Sequence, residues 1–242
     1  MTDWHPPRTV SHREANLSVA VRLVDAFTGD RPEEVTLSVD PVDAEPVTNR
    51  SGYHVFLDLA APELTLTVDG GDDYVDERRH IVLDPDAVEE SDAADGAASP
   101  DDVETRVVTD VSEALRIELA PTPAYAFPTS ATVVRGHVRT GDGDPVAGAT
   151  VTLREFDPVV ETTETGEFAV WAPVSADHVV RREDRRVVVV DAVGGNGTGA
   201  ALADGDGTDP TLVVDHPDHG ETTETLEVAA GTRTVHHVTL DG

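Results

Sequence analysis

The sequence predicts an all-β chain, organised as two small β-sandwich modules in tandem, on three observations. Val-rich or alternating apolar runs recur along its 242 residues, and branched side chains suit a pleated surface. Turn residues separate these runs at intervals of roughly 8–12 residues, the spacing of a sandwich or barrel. Apolar positions never hold the roughly 3.6-residue period of a helix for a useful length. Each half is long enough to bury a core of its own.

Residues 1–16 read as an N-terminal arm, and the first module spans 17–84. Its strands are Leu17-Ser-Val-Ala-Val-Arg-Leu-Val, Val35-Thr-Leu-Ser-Val, Tyr53-His-Val-Phe-Leu, Leu64-Thr-Leu-Thr-Val and His80-Ile-Val-Leu. Phe27-Thr-Gly-Asp-Arg-Pro and Asp69-Gly-Gly-Asp-Asp supply turns between them. Residues 85–103 are small, acidic and low in complexity, the composition of a flexible linker. Arg106-Val-Val-Thr and Leu115-Arg-Ile-Glu-Leu, within 104–120, are candidates to complete the first module. Pro121-Thr-Pro-Ala-Tyr-Ala-Phe-Pro makes 121–130 a stiff Pro-rich connector. The second module, 131–242, takes strands from Thr132-Val-Val-Arg-Gly-His-Val, Ala149-Thr-Val-Thr-Leu and Glu167-Phe-Ala-Val-Trp. Later strands are Arg186-Val-Val-Val-Val, Thr211-Leu-Val-Val, Thr225-Leu-Glu-Val and Thr234-Val-His-His-Val-Thr-Leu.

Charge describes the environment. The formal net charge is −31, and every one of the 17 basic residues is Arg. In dilute buffer so much like charge opposes the compact state, whereas at 1 M salt the screening length falls to about 3 Å. An acidic, Lys-free, otherwise ordinary composition reads as a halophilic protein of a high-salt interior. Its melting temperature is therefore expected to rise markedly between about 0.1 M and about 2–3 M KCl. An unchanged melting temperature across that range contradicts the reading. The acidity also argues against nucleic acid as a partner. With no Cys, disulfides, thiolate metal sites and Cys nucleophiles are excluded. No apolar stretch approaches the roughly 20 residues of a membrane helix, so no membrane insertion is expected. The first residues lack a basic start followed by an apolar run, so the expected address is the cytoplasm, free or in a particle assembled there.

Two stretches repeat. Val19-Ala-Val-Arg-Leu-Val, Thr28-Gly-Asp-Arg-Pro and Val35-Thr-Leu parallel Val133-Val-Arg-Gly-His-Val and Gly143-Asp-Pro-Val-Ala-Gly-Ala-Thr-Val-Thr-Leu. Asn49-Arg-Ser-Gly-Tyr-His-Val-Phe likewise parallels Glu164-Thr-Gly-Glu-Phe-Ala-Val-Trp. Through Gly136-His-Val, Gly143-Asp-Pro-Val-Ala-Gly-Ala-Thr-Val and Thr163-Glu-Thr-Gly-Glu-Phe, residues 131–172 resemble the carboxypeptidase regulatory-like domain, with a weaker echo at 17–84. The resemblance implies Ig-like, transthyretin-like seven-stranded sandwiches that act as non-catalytic accessories, so it carries no active-site residues. The Gly-Tyr pair that usually precedes the late strands is missing, and an acidic insertion occupies 193–210. Leu119-Ala-Pro-Thr-Pro-Ala-Tyr-Ala-Phe-Pro leading into Thr132-Val-Val-Arg-Gly resembles, more loosely, accessory proteins of phage-tail-like contractile injection particles.

The candidate chemistry is sparse. Gly195-Asn-Gly-Thr-Gly-Ala mimics a dinucleotide fingerprint but leaves no room for the helix that would cradle a pyrophosphate. Asp204, Asp206 and Asp209 are weak Ca²⁺ candidates in a loop without the frame of an EF-hand. His216, His219, His236 and His237, with Glu221 and Glu224 nearby, lack metal-ligand spacing, and adjacent strand residues such as His236 and His237 face opposite ways. Asn16, Asn49 and Asn196 all lie in Asn-x-Ser/Thr sequons, which fit a glycosylated surface protein, although the abundance of Ser and Thr and the missing secretory start favour coincidence. No nucleophile elbow or phosphate loop is present, so no enzyme activity and no cofactor are expected.

The expected function is structural: docking onto protein partners in a larger complex, with Trp4, Tyr125 and Phe127 as interaction residues. Trp4 either anchors in a partner's pocket or folds back on the first sandwich. The alternative is a ligand-binding, glycan-binding or adhesive module, with Trp171 or Tyr125 as a stacking platform. The two separate on whether those rings are exposed together or buried.

Overall fold

The computed structural model describes residues 15–83, 104–107, 113–182, 185–191 and 207–240. It is an all-β, sandwich-type fold whose chain divides into two compact units. Among the described residues the first unit runs to Gly71 and resumes over Asp76–Leu119; the second takes Asp72–Val75 and everything from Ala120 onward. The acidic stretch 85–103 lies outside the described residues.

The first unit holds eight strands among the described residues: β1 Leu17–Asp25, β2 Thr36–Asp40, β3 Val47–Thr48, β4 Tyr53–Leu57, β5 Glu63–Asp69, β6 Glu77–Val82, β7 Glu104–Val107 and β8 Leu115–Leu119. One sheet has the order β3-β4-β1-β8 and the other β2-β5-β6-β7. Both stretches within 104–120 thus pair into this unit: β8 runs parallel to β1, and β7 runs parallel to β6. Alternation decides what is buried, because successive side chains leave a strand on opposite faces. Val19, Val21, Leu23, Phe56, Ile117 and Leu119 are buried from one sheet; Leu37, Val39, Leu64, Leu66, Val68 and Ile81 are buried from the other.

The second unit contains β9 Val133–Thr140, β10 Thr150–Leu153, β11 Val159–Glu161, β12 Glu167–Trp171, β13 Val179–Arg182, β14 Arg185–Val188, β15 Val190–Asp191, β16 Gly207–Thr208, β17 Thr211–His216, β18 Gly220–Thr225, β19 Arg233–Val235 and β20 Val238–Leu240. Its main sheets are ordered β12-β9-β19, with β20 also on β9, and β11-β10-β17-β18. Two ribbons, β13-β14 and β15-β16, complete the described strands.

The sequence repeat has a topological counterpart. β1 is antiparallel to β4 and parallel to β8; β9 is antiparallel to β12 and parallel to β19. β2-β5-β6 and β10-β17-β18 are matching antiparallel trios. The edge differs, since β3 joins β4 whereas β11 joins β10. Gly52 and Gly166, the paired turn glycines ahead of β4 and β12, have φ of 83° and 77°. A Cβ at Gly166 would also lie 2.5 Å from the Val138 carbonyl oxygen, so that turn tolerates no side chain.

Two expected strands are corrected. Thr225-Leu-Glu-Val is not a strand: β18 ends at Thr225, and Leu226 and Val228 are buried in irregular chain, where the Val228 carbonyl accepts from the Val188 amide. Its place at the edge of β17 is taken by Gly-Glu-Thr-Thr-Glu-Thr, whose polar pattern reads as loop. The strand over Thr234–Leu240 is broken at His236-His237 into β19 and β20, so these two His do not share a strand.

Candidate interaction surface

Trp4 lies outside the described residues, as do Asp204, Asp206, Asn196 and the 195–200 glycine run. Phe127 is only 2% exposed. It stacks edge-on with Tyr125, ring centroids 4.7 Å apart, and lies 6.3 Å from the ring of Trp171, itself 5% exposed. Tyr125, half-buried, meets the buried Tyr74 ring at 5.6 Å. Arg135 rides over Phe127 at 5.3 Å and donates from one terminal nitrogen to the Tyr125 carbonyl; Arg233 donates to the Phe127 carbonyl. Burial first, and the Arg233 charge second, lower the Arg135 pKa.

The two aromatics of the 121–130 stretch thus pack within the second unit. Phe127 cannot be offered to a partner without unpacking that core, which corrects its assignment as an interaction residue. Trp171 is likewise no exposed platform. It does face away from Phe168 and Val170, but the connector covers it, so β12 is buried on both faces beyond Glu167. Sugar stacking on Trp171 and Tyr125 together has no groove to use.

The acidic and His candidates do not converge. Asp209 accepts a hydrogen bond from Arg182, which occupies a carboxylate offered as a cation ligand. His216 stacks on His219 at the hairpin tip, where His216 pairs with Gly220. His236 bonds Glu224 at 2.7 Å, and Glu224 sits opposite Leu212 at the far end of the same hairpin. The ring of His237 packs instead against that of His137, 5.4 Å away. No group of three His, Cys, Asp or Glu among the described residues is placed to hold a metal ion. Asn49 spends its side-chain oxygen on the amides of Ser51 and Tyr53, which fixes the turn before β4.

Val75, Val159 and Val235 are exposed at other places, and three further exposed apolar residues, Leu17, Val47 and Leu57, gather on the outer face of β3, β4 and β1. The alternation of β4 sends His54 and Phe56 inward and Tyr53, Val55 and Leu57 outward. Register sets Val47 and Ala20 on either side of Val55, and Leu17 beside Leu57. Cross-strand neighbours of this kind merge into one apolar strip. Val47 is 59% exposed, Leu57 40% and Leu17 38%. Strand β3 pairs only with His54 and Val55, so among the described residues Phe56 and Leu57 have no strand neighbour on that side. An open edge beside exposed apolar side chains is a template for another chain. The sequence carries a signal for this face: a strand with one solvated face should be polar at alternate positions, and Tyr53, Val55 and Leu57 are not.

Among the described residues no helix is long and apolar enough to cross a membrane. No family model matches the chain, and no curated protein sequence matches it. Among solved structures it is similar to the Bacillus anthracis TIE protein, at 10% identity and a TM-score of 0.26, over 94% of this chain and 51% of that one. It is also similar to a Streptococcal ancillary pilin, at 9% identity and a TM-score of 0.26, over 94% of this chain and 69% of that one. The chain spans about half the length of the first of these proteins.

Proposed function

We propose that this protein is a non-catalytic structural module that docks onto protein partners in a larger assembly, through the outer face and open edge of β3, β4 and β1. The observation that carries the reading is the apolar strip of Leu17, Val47, Val55 and Leu57 on a chain of net charge −31. Selection for a soluble, acidic surface would replace such residues unless something covers them. The partner is protein rather than nucleic acid, since the chain's charge repels phosphate backbones. Within this reading the second unit is a carboxypeptidase regulatory-like accessory, on the residues of 131–172 that resemble that family. The assembly is a contractile, phage-tail-like particle of a high-salt cell, on the stretch from Leu119 to Gly136.

The test places charge in the strip. Val47→Glu combined with Leu57→Glu is expected to leave the far-UV spectrum and melting curve close to wild type, because both side chains are exposed. Capture of the partner by the tagged chain in native extract should fall at least about tenfold, since two carboxylates would be desolvated in the contact. Undiminished capture would remove the strip from the interface.

A further inference from the structure

A cleft of about 280 Å³ opens in the first unit between the turn after β1 and the turn before β4. Its wall inverts the composition of the chain. The protein has 48 Asp and Glu against 17 Arg, yet this wall carries Arg22, Arg31 and Arg50 and one acid, Asp30. No carboxylate among the described residues forms an ion pair with any of the three, whereas Arg79, Arg116 and Arg182 are each paired. The Arg22 guanidinium sits over the Tyr53 ring at 5.9 Å, which fixes it without neutralising it. The Arg31 charge reaches His54, whose pKa is lowered first by burial and second by that charge.

Both turns are locked before anything binds. Asp25 accepts from the amides of Phe27 and Thr28, and Asn49 from those of Ser51 and Tyr53. Gly29 and Gly52 take the left-handed backbone, with φ of 77° and 83°. A Cβ on Gly52 would meet Cδ of Arg31 at 3.5 Å, an ordinary contact, so it is the left-handed backbone and not crowding that asks for glycine there. Three exposed guanidiniums, none paired with a carboxylate among the described residues, thus stand on two hydrogen-bonded turns, and planar forks of this kind match the oxygens of phosphate or sulfate.

We propose that this cleft binds a tetrahedral oxyanion, phosphate or sulfate, free or as the head of a small ester. The size sets the limit: about 280 Å³ admits an ion or a small ester and is at the low end for ligand pockets. The site adjoins the docking face at Tyr53, but its binding does not rest on the assembly reading.

The full chain, shown by its far-UV spectrum to be folded under the titration conditions, is titrated calorimetrically with inorganic phosphate, sulfate and glycerol phosphate at one constant ionic strength, the lowest at which it stays folded. One saturable site per chain is expected for the phosphate or sulfate series, with a tighter ester identifying an ester head and equal affinities a free ion. Arg31→Gln with Arg50→Gln should weaken binding at least about tenfold. Arg50→Gln alone, an exposed turn change that leaves the fold intact, should weaken it several-fold. Arg116→Gln, which breaks a surface pair elsewhere, should change nothing. The proposal is overturned if no probe gives a saturable isotherm, or if both Arg50 variants bind like wild type.

Discussion

Gly136→Ala is expected to abolish folding of the second unit or to cost more than about 4 kcal/mol, the range of severe backbone clashes. Gly136 lies in β9, opposite Phe168 of β12, with the amide of His236 bonded to the neighbouring Arg135 carbonyl. A Cβ on Gly136 would stand 1.5 Å from the His236 carbonyl oxygen, 2.7 Å from its carbonyl carbon and 3.0 Å from Cε1 of Phe168. Two of those three contacts are with backbone, so no rotamer change relieves them. The chain passes over Gly136 where β19 breaks at His236-His237 before resuming as β20. Gly143→Ala is the matched control. Gly143 has φ of 93° but open space around its Cβ, so the change should cost only the roughly 1–3 kcal/mol of a strained non-glycine residue. Chemical denaturation of both variants, followed by near-UV signals from Trp171, measures the difference. Similar, small losses from both would show that the His236 passage is not as close as described.

Phe168→Ala is expected to destabilise the second unit by about 3–5 kcal/mol, the cost of a large cavity in a packed core. Phe168 is 1% exposed and sits between the Gly136 gap and fully buried Val170. Glu167→Ala, one residue earlier, should change stability by no more than about 0.5 kcal/mol. Glu167 is exposed, and its contacts are a 3.3 Å pair with His137 and a 3.2 Å bond from Thr165, both of the weak surface kind. Urea denaturation of the pair reads the contrast directly. Equal, small effects would mean that the faces of β12 are assigned wrongly.

Those two positions also show what the sequence made legible. Phe168 followed from alternation after a glycine turn, and Gly136 belonged to a motif whose meaning is now steric. Strands β2, β4 and β5 were readable because each alternates cleanly, so burial on one face is written in the residues. Strand β18 was not, because an edge strand that buries almost nothing can be wholly polar, and Gly-Glu-Thr-Thr-Glu-Thr then resembles a loop. The two-sided burial of β12 was missed for a related reason. Alternation assigns one face to solvent, and only the return of Phe127 over Trp171 closes it, a contact between residues 44 positions apart (171 − 127). The arginine cleft was invisible for the same cause, since Arg22, Arg31 and Arg50 meet only when β1 pairs with β4. Val55 and Leu57 were readable in principle. Their outward direction needed only the strand parity of Phe56.

The central claim is that the protein works inside a larger assembly, and fractionation of native high-salt extract on a density gradient tests it most directly. With the full-length chain followed by immunoblot, the account predicts co-migration with heavy particles, and loss of that migration for the Val47→Glu, Leu57→Glu variant. Recovery of the unaltered chain only in the light fractions, as a free monomer, would contradict it.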